Sequence, residues 1–236
     1  MGKLDDYQKG VDTFFEGGYK VIKTTSIPQV SDLKFGKHGK QVDLAMLFID
    51  LRESTKIMAS VRRVTAARIY KSFLWGISKI AKDNGGEVRS FNGDGVLVAF
   101  VGPRKCNNAA KAAMQMKYFC KEILKPKADA FLKDKGSLNG VLFDYGIGID
   151  VGTILVVRGG ISGDNNNDLV WVGNATNNAV KLSGISNSPY NIRVTAEVHS
   201  YLEKDRLESD GKNMWEKRYL DNLTLYRTIY SWVIPS

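Results

Sequence analysis

The stretch Asn92-Gly93-Asp94-Gly95 limits the possible fold of this chain more than any other. It separates two strand-like runs, Glu87–Phe91 and Val96–Val101. Asn-Gly is a strong signal for a two-residue hairpin, because both central positions of a type I′ turn need positive φ. The stretch therefore predicts a hairpin with Asp94 at or beside its tip and a glycine on each side. Upstream, Met46-Leu47-Phe48-Ile49 runs directly into Asp50, and a short polar turn then leads into a helical pattern. A buried strand that ends in a carboxylate suits a metal ion, and the helix start beyond it suits phosphate. Alone, Asp50 is equally well a strand end or a cap. A second carboxylate on a neighbouring hairpin changes its meaning.

The remaining periodicity gives the order of elements. Residues 43–50 read as a strand. Residues 55–83 read as one long helix, with an apolar stripe through Ile57, Met58, Val61, Val64, Ile69, Phe73, Leu74, Ile77 and Ile80. Residues 107–134 read as a second helix, broken or kinked at Pro126. Phe143–Asp150 and Ile154–Val157 read as a hairpin around Val151-Gly152-Thr153. A polar loop over 159–168, a short strand Leu169–Val172, a helix from Asn174 to about Gly184 and a strand Ile192–Ala196 follow. After a short helix near Glu197–Leu202, Trp215–Leu220 and Leu225–Val233 close the chain as a strand pair. Strand, helix, hairpin, helix, hairpin, helix, strand is the split βαβ order of an α+β, ferredoxin-like core, with a mainly antiparallel sheet flanked by helices. In such a sheet the first strand is central and the next hairpin lies beside it, so Asp50 and Asp94 become neighbours.

Residues 1–42 read as an N-terminal extension and 43–236 as the main domain. In the extension, Leu4, Tyr7, Val11, Phe14 and Phe15 share one face of a helix that Gly17-Gly18 stops. That face must pack on something, either its own domain or a second copy.

The bulk properties exclude several classes. With 43% hydrophobic and 25% charged residues in 236, the chain has the composition of a soluble globular protein. No apolar run approaches the roughly 20 residues of a membrane span. Met1–Asp6 has no apolar signal region, so the reading is cytoplasmic with no membrane partner. Cys106 and Cys120 fall on one predicted helix, roughly 21 Å apart, too far to bridge. The two histidines, His38 and His199, stand alone, which speaks against zinc and against a histidine-based nucleophile mechanism. The net charge of +9 favours polyanionic partners, including nucleoside triphosphates. An RNA-binding module lacks support, because Phe100 is the one aromatic residue in Val96–Val101.

Paired aspartates repel unless a cation lies between them, and Mg²⁺ takes carboxylate oxygen together with substrate phosphates. After Asp50, the backbone amides of Leu51, Arg52, Glu53, Ser54 and Thr55 can hold β- and γ-phosphates. Far along the chain, Asn177 and Lys181 stand four apart on one helix face.

Together the three stretches resemble the class III nucleotidyl cyclase catalytic domain over roughly residues 43–233. The match runs through Phe48, Asp50 and Thr55, then Gly93-Asp94-Gly95, then Gly173, Asn174, Asn177 and, imperfectly, Lys181. The resemblance implies two Mg²⁺ or Mn²⁺ ions per site on Asp50 and Asp94, with the Leu51 carbonyl as a further ligand. It implies that Asn177 orients the ribose and that Lys181 replaces the arginine that steadies charge on phosphorus. It also implies a head-to-tail homodimer with two composite sites, and cyclisation of a nucleoside triphosphate to a 3′,5′-cyclic nucleotide and pyrophosphate.

The chain departs from the family at defined places. Lys181 supplies a cation but not the planar fork of arginine. Glu53 stands where glycine is common. The late lysine that touches the triphosphate has only Lys212, Lys217 and Arg218 as candidates. Ser90 and Val170 occupy the base-selecting positions, where adenylate cyclases carry Lys and Asp (or Thr) and guanylate cyclases Glu and Cys. Without a purine-specific pair most base discrimination is lost. These departures are similar to the pyrimidine cyclases of bacterial antiphage signalling, whose cyclic UMP or cyclic CMP activates a separate effector. The expectation is a uridylate cyclase, with UTP favoured over CTP. An adenylate cyclase of the same fold and a degenerate, nucleotide-binding relative are the alternatives.

Overall fold

The structure is a computed structural model that describes residues 2–132, 144–162, 166–186 and 188–235. Its elements in chain order are α1 (Lys3–Phe15), β1 (Lys20–Lys23), β2 (His38–Arg52), α2 (Ser54–Ser60), α3 (Arg63–Asp83), β3 (Glu87–Asn92) and β4 (Gly95–Phe100). Next come α4 (Lys105–Tyr118), α5 (Lys125–Leu132), β5 (Asp144–Gly160), β6 (Asn167–Val172), α6 (Asn174–Ser183), β7 (Ile192–Thr195) and α7 (Ala196–Ser200). The chain closes with α8 (Lys204–Leu207), β8 (Glu208–Ser209), β9 (Lys212–Asn213), β10 (Glu216–Leu220) and β11 (Leu223–Thr228).

Nine strands form one sheet in the order β10-β11-β7-β5-β2-β4-β3, with β1 added to β2 and β6 to β5. Within it, β5-β2-β4-β3 is the ferredoxin-like arrangement, with the first strand of the unit at the centre. Within strand β2, Leu44–Ile49 reads as an unbroken apolar run because both its faces are covered. Ala45, Leu47, Ile49 and Leu51 pack with Phe73, Ile77 and Met114 of α3 and α4. Leu44, Met46 and Phe48 pack on the opposite face with Ala175 and Ala179 of α6. Side chains alternate along a strand, so Asp50 and Arg52 continue the α6 face.

The structure differs from several of these expectations. The hairpin predicted around Val151-Gly152-Thr153 is one continuous strand, β5. Its register against β2 runs unbroken from Asp144–Arg52 to Val157–Gly39, with Gly152 opposite Leu44. The glycine signals close approach rather than a turn: Gly146 and Gly148 let α6 lie directly on the sheet, where a Cβ would collide with the carbonyls of Ser183 and Ala179.

The long helix predicted over 55–83 is two helices, because Val61 and Arg62 are extended. The Ser60 hydroxyl bonds back to the Lys56 carbonyl at 2.7 Å and competes with the helix ladder. Met58 and Val64 of the predicted stripe are accordingly exposed. The break expected at Pro126 is absorbed one turn earlier by a π-helical segment, Phe119–Leu124, which leads into α5. The closing strand ends at Thr228 rather than Val233.

Strand β2 crosses position 42/43, and β1 pairs in parallel with its first residues, so the extension is joined to the main sheet. No residue of α1 is buried; Phe15 is 85% exposed. The apolar face expected to dock therefore faces outward. Both cysteines are free and buried. No helix among the described residues is long and apolar enough to cross a membrane.

Candidate active site

Strand β2 delivers Asp50 and the β3–β4 hairpin delivers Asp94. Ile49 pairs with Val96, so Asp50 arrives beside Gly95. Asn92 pairs with Gly95, which makes Gly93-Asp94 the two-residue loop, one position later than Asn-Gly predicts. Gly93 alone has positive φ, at 65°, the signature of a type II′ turn. Gly95 must lack a side chain, because a Cβ there would lie 3.2 Å from Asp50 Oδ1 and 2.5 Å from Phe48 Cζ.

Burial, and after it the Asp94 charge, together push the Asp50 carboxyl up to about 6, against weaker opposition from the Leu51 amide and Arg52. Asp94 Oδ2 is buried with no hydrogen-bond partner. A raised carboxylate beside an orphaned acceptor fits a divalent cation, which would relieve both. No cluster of three or more His, Cys, Asp or Glu occurs among the described residues, so any such ion relies on other oxygens too, as Mg²⁺ does with substrate phosphates.

The turn after Asp50 depends on Glu53. Its φ of 55° is left-handed, the backbone region that favours glycine. The Glu53 carbonyl starts α2 by accepting from Lys56 N at 2.8 Å, and its carboxylate accepts from Lys56 Nζ at 2.6 Å. The amides of Ser54 and Thr55 stand at the helix start, while Leu51 and Arg52 belong to β2 opposite Tyr145 and Asp144.

Tyr70 borders the site without a sequence signal, since in α3 it stands beside the apolar stripe and packs against the core. Its hydroxyl donates to the Ser54 carbonyl at 3.2 Å. Burial raises its pKa, with both aspartate charges adding to the shift.

No family model matches the chain. It is 33% identical to a uridylate cyclase of Burkholderia cepacia over 238 residues, covering 99% of this chain and 100% of that protein. It is 34% identical to a uridylate cyclase of Xanthomonas perforans over 239 residues, with the same coverage. The chain belongs to the uridylate cyclase family. It is an enzyme of the class III nucleotidyl cyclase type, and the fold agrees. A bacterial light-regulated adenylyl cyclase superposes with a TM-score of 0.66 at 18% identity, over 80% of this chain and 52% of that one. An adenylyl cyclase from P. aeruginosa superposes at 0.63 with 20% identity, over 82% and 96%.

The other predicted residues lie elsewhere on the chain. Asn177 is exposed on α6. Lys181 Nζ donates to Asp221 Oδ2 at 3.0 Å, in the β10–β11 turn. Neither has a hydrogen bond or ion pair to Asp50 or Asp94 among the described residues. Asn178, on the inner side of α6, donates to the buried Asp150 at 2.8 Å, and Thr195 donates to the same carboxylate at 2.6 Å. Ser90 lies just past a bulge in β3, and Val170 is half-exposed on β6. Arg218 pairs with Glu216, Lys217 lies 5.3 Å from the Tyr219 ring centre, and Lys212 is exposed on β9.

Proposed function

We propose that two copies of this chain convert UTP to 3′,5′-cyclic UMP and pyrophosphate at two composite sites, with UTP favoured over CTP. One subunit supplies Asp50 and Asp94, the other Asn177 and Lys181. Asp50, Asp94 and the Leu51 carbonyl would hold two Mg²⁺ or Mn²⁺ ions, which when bound offset charge on the triphosphate and polarise the reacting oxygens. The backbone at Arg52, Glu53, Ser54 and Thr55 receives the β- and γ-phosphates. Asn177 orients the ribose. The 3′-hydroxyl gives its proton to solvent, its oxygen bonds to the α-phosphorus, and the bond to pyrophosphate breaks. Lys181 faces the charge that builds on the α-phosphate oxygens. Ser90 and Val170 border the base and offer no purine-specific pair. The product serves as a cytoplasmic second messenger in antiphage defence and acts on a separate effector.

The observation that carries this reading is the identity to uridylate cyclases along the whole chain, with Asp50 and Asp94 side by side. The experiment is an assay of the purified protein with each of the four triphosphates and Mn²⁺. Cyclic UMP is the expected main product; cyclic AMP as the main product overturns the pyrimidine assignment.

A further inference from the structure

Arg52 stands two residues beyond Asp50, yet its guanidinium serves another element. Nη1 donates to Asp144 Oδ2 at 2.8 Å. Nη2 donates to the Ser183 carbonyl at 3.2 Å and to that of Ile185. Asp144 is itself fixed by Asn191 Nδ2 at 2.8 Å. The last carbonyls of a helix lack intrahelical partners and carry the negative end of its dipole, so a forked cation is a fitting cap there. The seat is tight: a Cβ on Gly146 would lie 2.6 Å from Arg52 Nη2 and would collide with the Ser183 carbonyl. Lys181 is two residues before Ser183, about 200° around the helix. Arg52 therefore grips the inner side of the turn whose outer side presents Lys181.

We propose that Arg52 is a positioning residue that sets Lys181 through the C-terminal end of α6. The proposal rests on the composite-site reading above. Lys181 is a point charge on a flexible stem, without the fork of an arginine, so its placement depends on where its helix is held. One strand thus does two jobs in two sites. Asp50 serves the site its own subunit opens, while Arg52 orients the helix its subunit lends to the other.

Mixed dimers test this. Arg52→Met alone is expected to lower kcat about a hundredfold, the effect of roughly 1 Å of misplacement, with KM for UTP within about twofold. Mixed with Asp50→Ala, the Arg52→Met subunit supplies intact aspartates and its partner an undisturbed α6, so activity returns to about a quarter of wild type for random pairing. Mixed with Lys181→Ala, the only lysine sits on the loosened helix, and activity stays low. Recovery with Lys181→Ala but not with Asp50→Ala assigns Arg52 to the aspartate half and overturns the proposal. Recovery in neither pair makes Arg52 a general folding residue and overturns it too. Arg52→Met/Asp144→Asn, which strands no carboxylate, repeats both mixings. The control, Asp50→Ala with Lys181→Ala, separates the two failures: silence there sinks the composite site and this assignment with it, whereas recovery there leaves the outcome to Arg52 alone.

Discussion

Asp94 raises the pKa of Asp50, on top of the larger effect of burial. The Asp50 carboxyl titrates at about 6 in the fold against 3.8 ordinarily. Between these values the native state keeps a proton that the unfolded chain has lost. The stability that Asp50 contributes to the metal-free protein is therefore full below about pH 4 and is lost as pH rises through about 6. After screening at a partly exposed site, the loss is about 1–2 kcal/mol. Thermal unfolding in EDTA from pH 4 to 8 should show a shallower decline for Asp50→Asn than for wild type. Mn²⁺ at pH 8 should raise Tm for wild type and much less for the variant.

The seat of α6 gives a paired prediction on one strand. Gly148→Ala drives a methyl into the Ala179 carbonyl and should cost about 2–3 kcal/mol. Gly152→Ala meets only Ala175 Cβ at 3.7 Å and should stabilise by about 0.5 kcal/mol through the unfolded chain. Urea unfolding of the two variants measures both.

Glu53 holds a left-handed φ of 55° without being glycine. Glu53→Gly removes a strain of about 1 kcal/mol and adds a comparable unfolded-state entropy, so Tm should move by less than about 2 °C. Glu53→Val, β-branched at the same φ, should lose about 1–2 kcal/mol. Equal losses in the two variants would place the importance of Glu53 in its Lys56 ion pair instead.

The Lys181–Asp221 pair is exposed, with side chains 51% and 71% accessible, so it should add little to stability. Asp221→Asn, which suits the φ of 50° there, should unfold within about 0.5 kcal/mol of wild type. Lys181→Ala should be equally stable but lose kcat by about 100-fold or more.

Local chemistry was readable and long-range chemistry was not. The Gly93–Asp94 tip and the apolar approach to Asp50 are written in consecutive residues, and with the helix order they were enough for a ferredoxin-like sheet. A glycine between two apolar runs, as at Gly152, reads as a turn; pairing with Leu44 keeps β5 continuous through it. Arg52 lies in the phosphate turn by position, but its partners Asp144 and Ser183 are 92 and 131 residues away, beyond any local pattern. Tyr70 falls between Ile69 and Phe73 on an amphipathic helix, and only its hydroxyl contact with Ser54 distinguishes it. The amphipathic pattern of α1 identified a sticky face without saying what meets it.

The central claim is a site divided between two copies of the chain. Its most direct measurement is cyclic UMP formation by Asp50→Ala and Lys181→Ala proteins, each assayed alone and then after mixing with UTP and Mn²⁺. Each should be inactive alone, and the mixture should recover about a quarter of wild-type activity, since half the dimers carry one intact site. A mixture as silent as its components contradicts the account.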